Sequence, residues 1–325
     1  MWGGKNIAVV GGGIAGLTVA RLLKESGAAP VIFEKARGPG GRMSTRRRDG
    51  GQFDHGAQYF TSSSDEFDEM VRDWSAAGVV AEWVGRFGSW TSGAVTTDGP
   101  RSRWVGSPRM SALTRHLSSG LVVISSCRVM SLDRTARGWM LASEDGECHG
   151  PYDAVILTCP GPQAAALAPS ESAVHRRASS LCYTPCWAAM ITAEDSTADH
   201  LDGYKCDHPV VAWIAHDSSK PGRPAPGRWV VHAQARWSAE NEEAAPHDVA
   251  RTLSAAFTEV VAVKVSDVQV HRWRYALAGE RSGPSMVFDE DLGLGLCGDA
   301  LAGGRVEGAW QSAVDLVATM NRNRG

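Results

Sequence analysis

Residues 7–10 form a short run of apolar, mostly β-branched side chains that stops at three glycines. Such an unbroken run suits a strand buried on both faces. Leu17, Ala20 and Leu23 then recur at helical spacing, and Gly27 stands where a helix would close on a C′ glycine. A second apolar run at 31–33 ends in Glu34. The pattern predicts strand, turn, helix and strand over residues 6–34.

Residues 64–84 read as a helix with Phe67, Val71 and Trp74 on one side, followed by a short strand; 85–103 read as a hairpin or loop. Ser107-Pro108 reads as a cap with proline at N1, opening a helix that carries Met110, Leu113 and Leu117 and stops at Gly120. Residues 121–124, 128–132 and 139–142 read as strands of a small antiparallel unit. The apolar run at 154–158 reads as a buried parallel strand ending at Cys159-Pro160-Gly161-Pro162. From 163 to 289 the texture changes. Strands at 210–216, 229–235 and 268–275 alternate, proline-rich turns such as 220–224 separate them, and a helix at 247–261 carries Val249, Leu253 and Phe257. This predicts an antiparallel sheet with a helical cover. Residues 292–297 return to the buried-strand pattern, and a glycine-led helix follows with Ala309, Ala313, Leu316, Val317 and Met320 as its apolar stripe.

The first turn carries chemistry. Gly11, Gly13 and Gly16 form G-x-G-x-x-G, with Ile14 and Ala15 opening the helix behind it. Gly11 permits a tight turn, Gly13 lets a pyrophosphate approach the backbone, and Gly16 lets helix and strand pack closely. Phosphates would sit on the helix N-terminus, where N–H groups and the dipole favour an anion. Glu34, followed by Lys35, is placed to accept from ribose hydroxyls. The stretch reads as a dinucleotide site of Rossmann type.

At 325 residues the chain has the length of two domains. A net charge of −3 argues against a nucleic-acid partner, and Arg46-Arg47-Arg48 reads as a solvated loop near cofactor phosphates. Seven cysteines at scattered spacing read as reduced thiols of a cytoplasmic protein. Cys182, Cys186, Cys206 and His208 have no regular ligand spacing, so no metal is expected. The first strand starts too early for a signal peptide, and the apolar run at 7–23 is broken by glycines, so no membrane span is expected.

Gly40-Gly41-Arg42 resembles the R-x-G-G-R extension of the FAD-dependent amine-oxidase-like superfamily. Further on stand D-x-G-A-Q-Y-F at 54–60 and G-D-x-x-x-G-G-x-V-E-G-A at 298–309. With Met110-Ser111-Ala112-Leu113, Ser219-Lys220-Pro221-Gly222-Arg223 and the 271–276 segment, the chain resembles the bacterial renalases from end to end. These are FAD-dependent oxidases of p-hydroxybenzoate-hydroxylase-like fold. The resemblance implies an α/β fold, a Rossmann-type FAD-binding domain with a second, mostly antiparallel substrate domain. The FAD domain is expected at 1–62, 104–162 and 290–325, and the substrate domain at 63–103 and 163–289. It implies non-covalent FAD held by Gly11, Gly13, Ile14, Ala15, Gly16, Glu34, Lys35, Gly41, Arg42, Met43, Gly56, Ala57, Gln58, Val129, Thr158, Gly298, Asp299, Val306, Glu307 and Ala309. His55 departs from the family, which usually has an apolar residue there.

The implied chemistry is oxidation of 2- or 6-dihydro isomers of NAD(P)H: a hydride passes to flavin N5, NAD(P)+ leaves, and dioxygen returns hydrogen peroxide. The chain is read as carrying one dinucleotide turn, so a nicotinamide would enter the substrate cleft directly. No Ser/His/Asp or metal constellation is evident, and a dihydropyridine needs neither, because no proton must be removed. Gln58, Tyr59, His232, Arg272 and Tyr275 are the polar candidates for that cleft, and Trp213, Trp229, Trp237 and Trp273 are among the twelve tryptophans that could line it. The rival reading is an amine or polyamine oxidase, which usually places a lysine near N5. Of six lysines, Lys205 and Lys220 alone suit the second domain's cleft. A rival of another class is a flavin-binding module without turnover.

Overall fold

The computed structural model describes residues 2–48, 51–194, 200–223, 225–280 and 282–322. They form two compact units, each discontinuous in sequence: Met1–Gly41, Thr114–Cys182 and Ala278–Gly325 make the first, Arg42–Leu113 and Tyr183–Leu277 the second.

The first unit is built on a six-stranded sheet. Its strands run in the order Met286–Asp289, Leu294–Cys297, Ala154–Leu157, Asn6–Val10, Ala29–Glu34 and Val122–Ser125. All neighbours are parallel except Met286–Asp289, which runs antiparallel to Leu294–Cys297. Ile7, Ala8, Val9 and all of Ala154–Leu157 are buried, as their unbroken apolar runs require. The helix Ile14–Glu25 follows the first strand, and Gly27, at φ +82°, is the left-handed residue just beyond its Ser26 cap. The C-terminal helix Arg305–Arg322 buries Ala309, Ala313, Leu316, Val317 and Met320, the expected stripe. A three-stranded antiparallel sheet of Val129–Thr135, Gly138–Ser143 and Cys148–Tyr152 completes the unit. Residues 121–124 were expected to join that small sheet. Instead Val122–Ser125 pairs parallel with Ala29–Glu34 and forms the edge of the large one.

The second unit carries a seven-stranded sheet, ordered Val265–Ala278, Tyr183–Ala193, Arg228–Ala233, Val211–His216, Gly203–Asp207, Phe87–Thr91 and Ala94–Thr97. It is antiparallel at most of its pairings, but Gly203–Asp207 runs parallel to Phe87–Thr91. The helix Pro246–Val261 lays Val249, Leu253, Ala256 and Phe257 on the sheet's core, where Ile191, Trp229 and Val231 are buried. Phe67, Val71 and Trp74 form the buried side of the helix Asp65–Ala76, whose Ser64 cap accepts from Phe67 N. The helix expected to start at Ser107-Pro108 begins at Ser111. Side chains claim the backbone before it: the Pro108 carbonyl accepts from Gln52 Nε2 at 2.6 Å, and the Gly106 carbonyl from Arg223 Nη1 at 2.8 Å. Of the expected 220–224 turn, Pro224 lies outside the described residues.

Candidate functional site

The dinucleotide turn is set by backbone geometry in the first unit. Gly11 sits at φ +114°, a conformation that favours glycine, and its N–H donates to the Phe33 carbonyl at 2.9 Å. A Cβ on Gly16 would collide with the Gly11 carbonyl oxygen and come within 2.8 Å of Thr158 Oγ1. Gly13, by contrast, has nothing within 4 Å of where a Cβ would lie, and as N-cap of Ile14–Glu25 it brings no capping side chain. The helix's first N–H groups therefore face an open cradle, with no acidic side chain in the first turn to repel an anion. Gly40 N donates to Gly12 O at 2.9 Å, so the second glycine pair folds back on the first. Thr158 Oγ1 lies 3.0 Å from both the Val10 and Gly11 carbonyls and pins the turn from the neighbouring strand.

Glu34 is buried, and each of its oxygens is partly engaged. Oε2 accepts from Gly12 N and Oε1 from Ala36 N, both at 2.7 Å. A carboxylate has about four acceptor positions, so the two remaining ones suit vicinal hydroxyls. Replacing Glu34 by Ala is expected to weaken FAD binding by about 1.5–3 kcal/mol, the range for hydrogen bonds to a charged group. Titration of the apoprotein with FAD checks this; an unchanged dissociation constant would remove Glu34 from the adenosine site.

Other expected cofactor residues of this unit are placed as follows. Lys35 is exposed, with Nζ 3.5 Å from Gln163 Oε1. Val129 is buried in the core at the start of the three-stranded sheet. Gly298 N donates to Ser312 Oγ at 2.9 Å, and Gly304 N to Asp299 O at 2.8 Å. Gly303 and Gly304 have positive φ and open space on their Cβ side, while Val306 and Ala309 are buried in the following helix. Gly293, Gly295 and Gly298 repeat the G-x-G-x-x-G spacing, which the reading of a single turn passed over. Leu294–Cys297 is a strand there, so the repeat makes no second turn before a helix. Cys297 is fully buried and its thiol is pushed up by that burial, which keeps it a neutral thiol.

In the second unit, the 54–58 segment is the centre of a buried polar network. Arg42 and Met43 run beside it: Ala57 N donates to Arg42 O at 2.8 Å, and a Cβ on Gly56 would strike the same carbonyl. Gln58 Nε2 donates to the carbonyls of Asp54 and, at 2.8 Å, Gly56. Its Oε1 accepts from Lys220 Nζ at 3.1 Å. Lys220 is wholly enclosed and ion-paired with Asp217 at 2.6 Å, with Asp54 Oδ2 at 3.8 Å. Asp54 takes bonds from Arg223, from Thr45 Oγ1 at 2.7 Å and from Met110 N at 3.1 Å. Burial pushes the Asp54 carboxyl up, but Lys220, Arg223 and these donors outweigh it and hold Asp54 below the usual carboxylate range. Burial, with the charge of Asp54, leaves Asp217 above that range. Two carboxylates and two cations thus close on one another with no solvent between them.

Beside this quartet lie three histidines. His55 packs on Trp273 in a tilted pair at 4.9 Å and meets His271 edge-on at 4.9 Å. Its carbonyl receives Trp273 Nε1 at 3.0 Å and faces His232 Nε2 at 3.2 Å. A carbonyl only accepts, so the His232 proton sits on Nε2. Burial is the first cause of a downward shift in all three, to about 3 for His55 and about 4 for His232 and His271. Their neutral state at pH 7 stabilises the fold relative to an unfolded chain whose histidines titrate near 6.5. That contribution is complete above pH ~6.5 and is lost as pH falls towards 4, by up to about 1.4 kcal/mol per pH unit for the buried His55 and the mostly buried His232, and by less for the partly exposed, solvent-screened His271. The raised Asp217 offsets part of it. Urea midpoints are therefore expected to fall between pH 7.5 and 5; a midpoint constant over that range would contradict the neutral cluster.

The structure brings Gln58 and His232 together at 3.4 Å, and Tyr59 and Trp213 at 5.6 Å between ring centres. Arg272 and Tyr275 are engaged elsewhere. Arg272 pairs with Glu243 at 2.8 Å and lies over Trp187, and Tyr275 meets Tyr183 edge-on at 5.6 Å. Asp54, Lys220 and Arg223 stand in the motifs read from the sequence, which does not show them as a network, and Asp217 is missed altogether. Their signal was charge inside otherwise apolar or glycine-rich segments. Among the described residues no group of three or more His, Cys, Asp or Glu side chains could hold a metal, and no helix is long and apolar enough to cross a membrane.

The turn at Gly11–Gly16, the parallel sheet behind it and the second sheet-bearing unit define a dinucleotide-binding flavoprotein fold. Residues 9–74 match the NAD(P)-binding Rossmann-like domain, and residues 86–320 match the flavin containing amine oxidoreductase family. The chain belongs to that family, and FAD is its cofactor. Among solved structures it is similar to a single-substitution variant of putrescine oxidase, at TM-score 0.74 and 12% identity over 99% of each chain. It is similar also to an oxidoreductase from Methanosarcina mazei (TM-score 0.72, 12% identity, 96% of this chain and 100% of that one). A conjugated-linoleic-acid-producing fatty acid isomerase from P. acnes matches at TM-score 0.72 and 11% identity, over 97% of this chain and 98% of that one. At such identities the likeness is one of fold.

Proposed function

We propose that this flavoenzyme oxidises isomeric dihydronicotinamide dinucleotides, the 2- or 6-dihydro forms of NAD(P)H, to NAD(P)+. FAD, when bound, supplies a hydride acceptor that dioxygen reoxidises to give hydrogen peroxide. The first unit would hold the cofactor's diphosphate at Gly11–Gly16 and its ribose at Glu34. The second would present substrate to Gln58, Tyr59, His232 and Trp213.

The observation that carries this reading is that the second unit's buried lysine is engaged and its clustered histidines are held neutral by burial. Lys220 is paired with Asp217 and Gln58, and His232 gives its Nε2 proton to the His55 carbonyl. Removing hydride from a dihydropyridine leaves an aromatic cation and needs no base, so what the protein must supply is orientation. Tyr59 and Trp213 offer aromatic surface for that purpose. An alkylammonium substrate would have to reach the flavin uncharged, because the imidazoles of this network, pushed down to about 3 to 4 by burial, are weak acceptors for its proton. The amine-oxidase reading keeps the family's support, and the rates at which amines and dihydronicotinamides reduce the flavin decide between the two.

FAD attachment is proposed to be non-covalent, since the buried Cys297 thiol is held neutral. Acid precipitation is expected to release all the yellow colour into the supernatant; colour retained in the pellet would contradict it.

A further inference from the structure

A dinucleotide substrate brings phosphates as well as a reacting ring, and the second unit holds a place suited to them. The loops 83–86 and 98–103 are stitched together by Trp83 N to Arg103 O at 2.7 Å and Asp98 N to Phe87 O at 2.7 Å. They enclose a cavity of about 410 Å³ lined by Arg86, Arg101 and Arg103 against Glu82 and Asp98. That volume is within the range of small-molecule sites.

Arg103 is the unusual member. Its side chain is only 4% exposed, and its guanidinium lies 3.8 Å over the Phe87 ring and 5.4 Å over Tyr59. A guanidinium has five N–H donors. Those of Arg103 make long bonds to Asp98 Oδ2, 3.3 Å, and Arg101 O, 3.4 Å, while Nε is buried with no partner. Asp98, the anion already paired with Arg103, leaves that donor unused, and a buried donor without an acceptor is costly. Arg101 stands exposed at the same cavity, with no ion pair among the described residues, and Arg86 donates to the His200 carbonyl.

We propose that the cavity between residues 82–87 and 97–103 binds the diphosphate of the dinucleotide substrate, with Arg103 at its base and Arg101 at its mouth. Arginine suits this role because its planar fork matches phosphate oxygens two at a time. Tyr59, a candidate for the reacting-ring end, lies against Arg103, so one extended ligand would meet both. The proposal rests on the dihydronicotinamide reading for its ligand, but phosphate binding is measurable without turnover.

Two measurements on the holoenzyme test it, using wild type and Arg101→Glu, a change at an exposed position. In anaerobic flavin reduction, the ratio of kcat/KM for 2-dihydro-NAD to that for 2-dihydronicotinamide riboside, which has no phosphate, is expected to fall about tenfold in the variant. That fall corresponds to about 1.4 kcal/mol. A ratio that stays the same would overturn the site. Independently, calorimetric titration with inorganic pyrophosphate and with ADP-ribose is expected to show binding that weakens with salt and weakens further in Arg101→Glu. Absence of binding, or equal binding by both proteins, would overturn the site. If neither reductant bleaches the flavin, the proposed function falls, and the pyrophosphate titration alone then decides whether the cavity holds phosphate.

Discussion

Replacing Lys220 by Met is expected to destabilise the second unit by about 3–5 kcal/mol, the usual cost of removing one partner from a buried ion pair. Lys220 and the carboxylates of Asp54 and Asp217 are wholly enclosed, so no water can take the place of the lost ammonium. Arg223 would then face two carboxylates alone, and Gln58 Oε1 would lose its donor. A loss of this size lowers a thermal midpoint by about 6–20 °C, at roughly 2–4 °C per kcal/mol in a domain of this class. The second substitution Asp217→Asn, added to Lys220→Met, leaves the balanced Asp54–Arg223 pair and is expected to restore much of the loss. Thermal unfolding of wild type, single and double variants checks both statements. A single variant that melts with wild type, or a double variant no better than the single, would show that the quartet is not the coupled unit described.

The parts legible in the sequence were those whose cause is local. Gly11, Gly13 and Gly16 could be read because a tight turn, an open cradle and a close helix–strand approach each demand glycine at a given residue. Glu34 could be read because the strand length and turn fix where its side chain lies. The buried quartet was not legible in the same way. Arg223 and Asp54 are 169 residues apart, Lys220 and Gln58 are 162, and charged residues in a sequence ordinarily signal surface. Ser107-Pro108 misled for a related reason. The local signal for a helix start was genuine, but Arg223 and Gln52, both distant in sequence, claim the backbone carbonyls of residues 106 and 108. Val122–Ser125 was misplaced because a short apolar run fits either sheet, and pairing is decided by the neighbouring Ala29–Glu34 strand. Arg272 and Tyr275 stand out for polarity inside an aromatic segment; their partners are Glu243, in the turn between two helices, and Tyr183, on the neighbouring strand.

The second large effect concerns which reductant the enzyme accepts. Hydride transfer requires the donor carbon to lie about 3–3.5 Å from its acceptor, and a displacement of about an ångström can cost on the order of a hundredfold in rate. A cleft shaped to present C2 or C6 of a nicotinamide holds C4 away, so ordinary NADH is expected to bind weakly and react slowly. An amine lacks the aromatic-cation product and must arrive without its proton. The decisive measurement is anaerobic mixing of the oxidised holoenzyme with a panel of reductants: the 2-, 4- and 6-dihydro isomers of NAD(P)H, spermine, putrescine and a catecholamine. Flavin absorbance is followed, and air is then admitted with peroxide assayed. Bleaching by the 2-dihydro isomer or the 6-dihydro isomer, at least about a hundredfold faster than by NADH or any amine, followed by peroxide on reoxidation, is the predicted result. Faster bleaching by an amine than by every dihydronicotinamide isomer would contradict the substrate assignment and put an amine oxidase in its place.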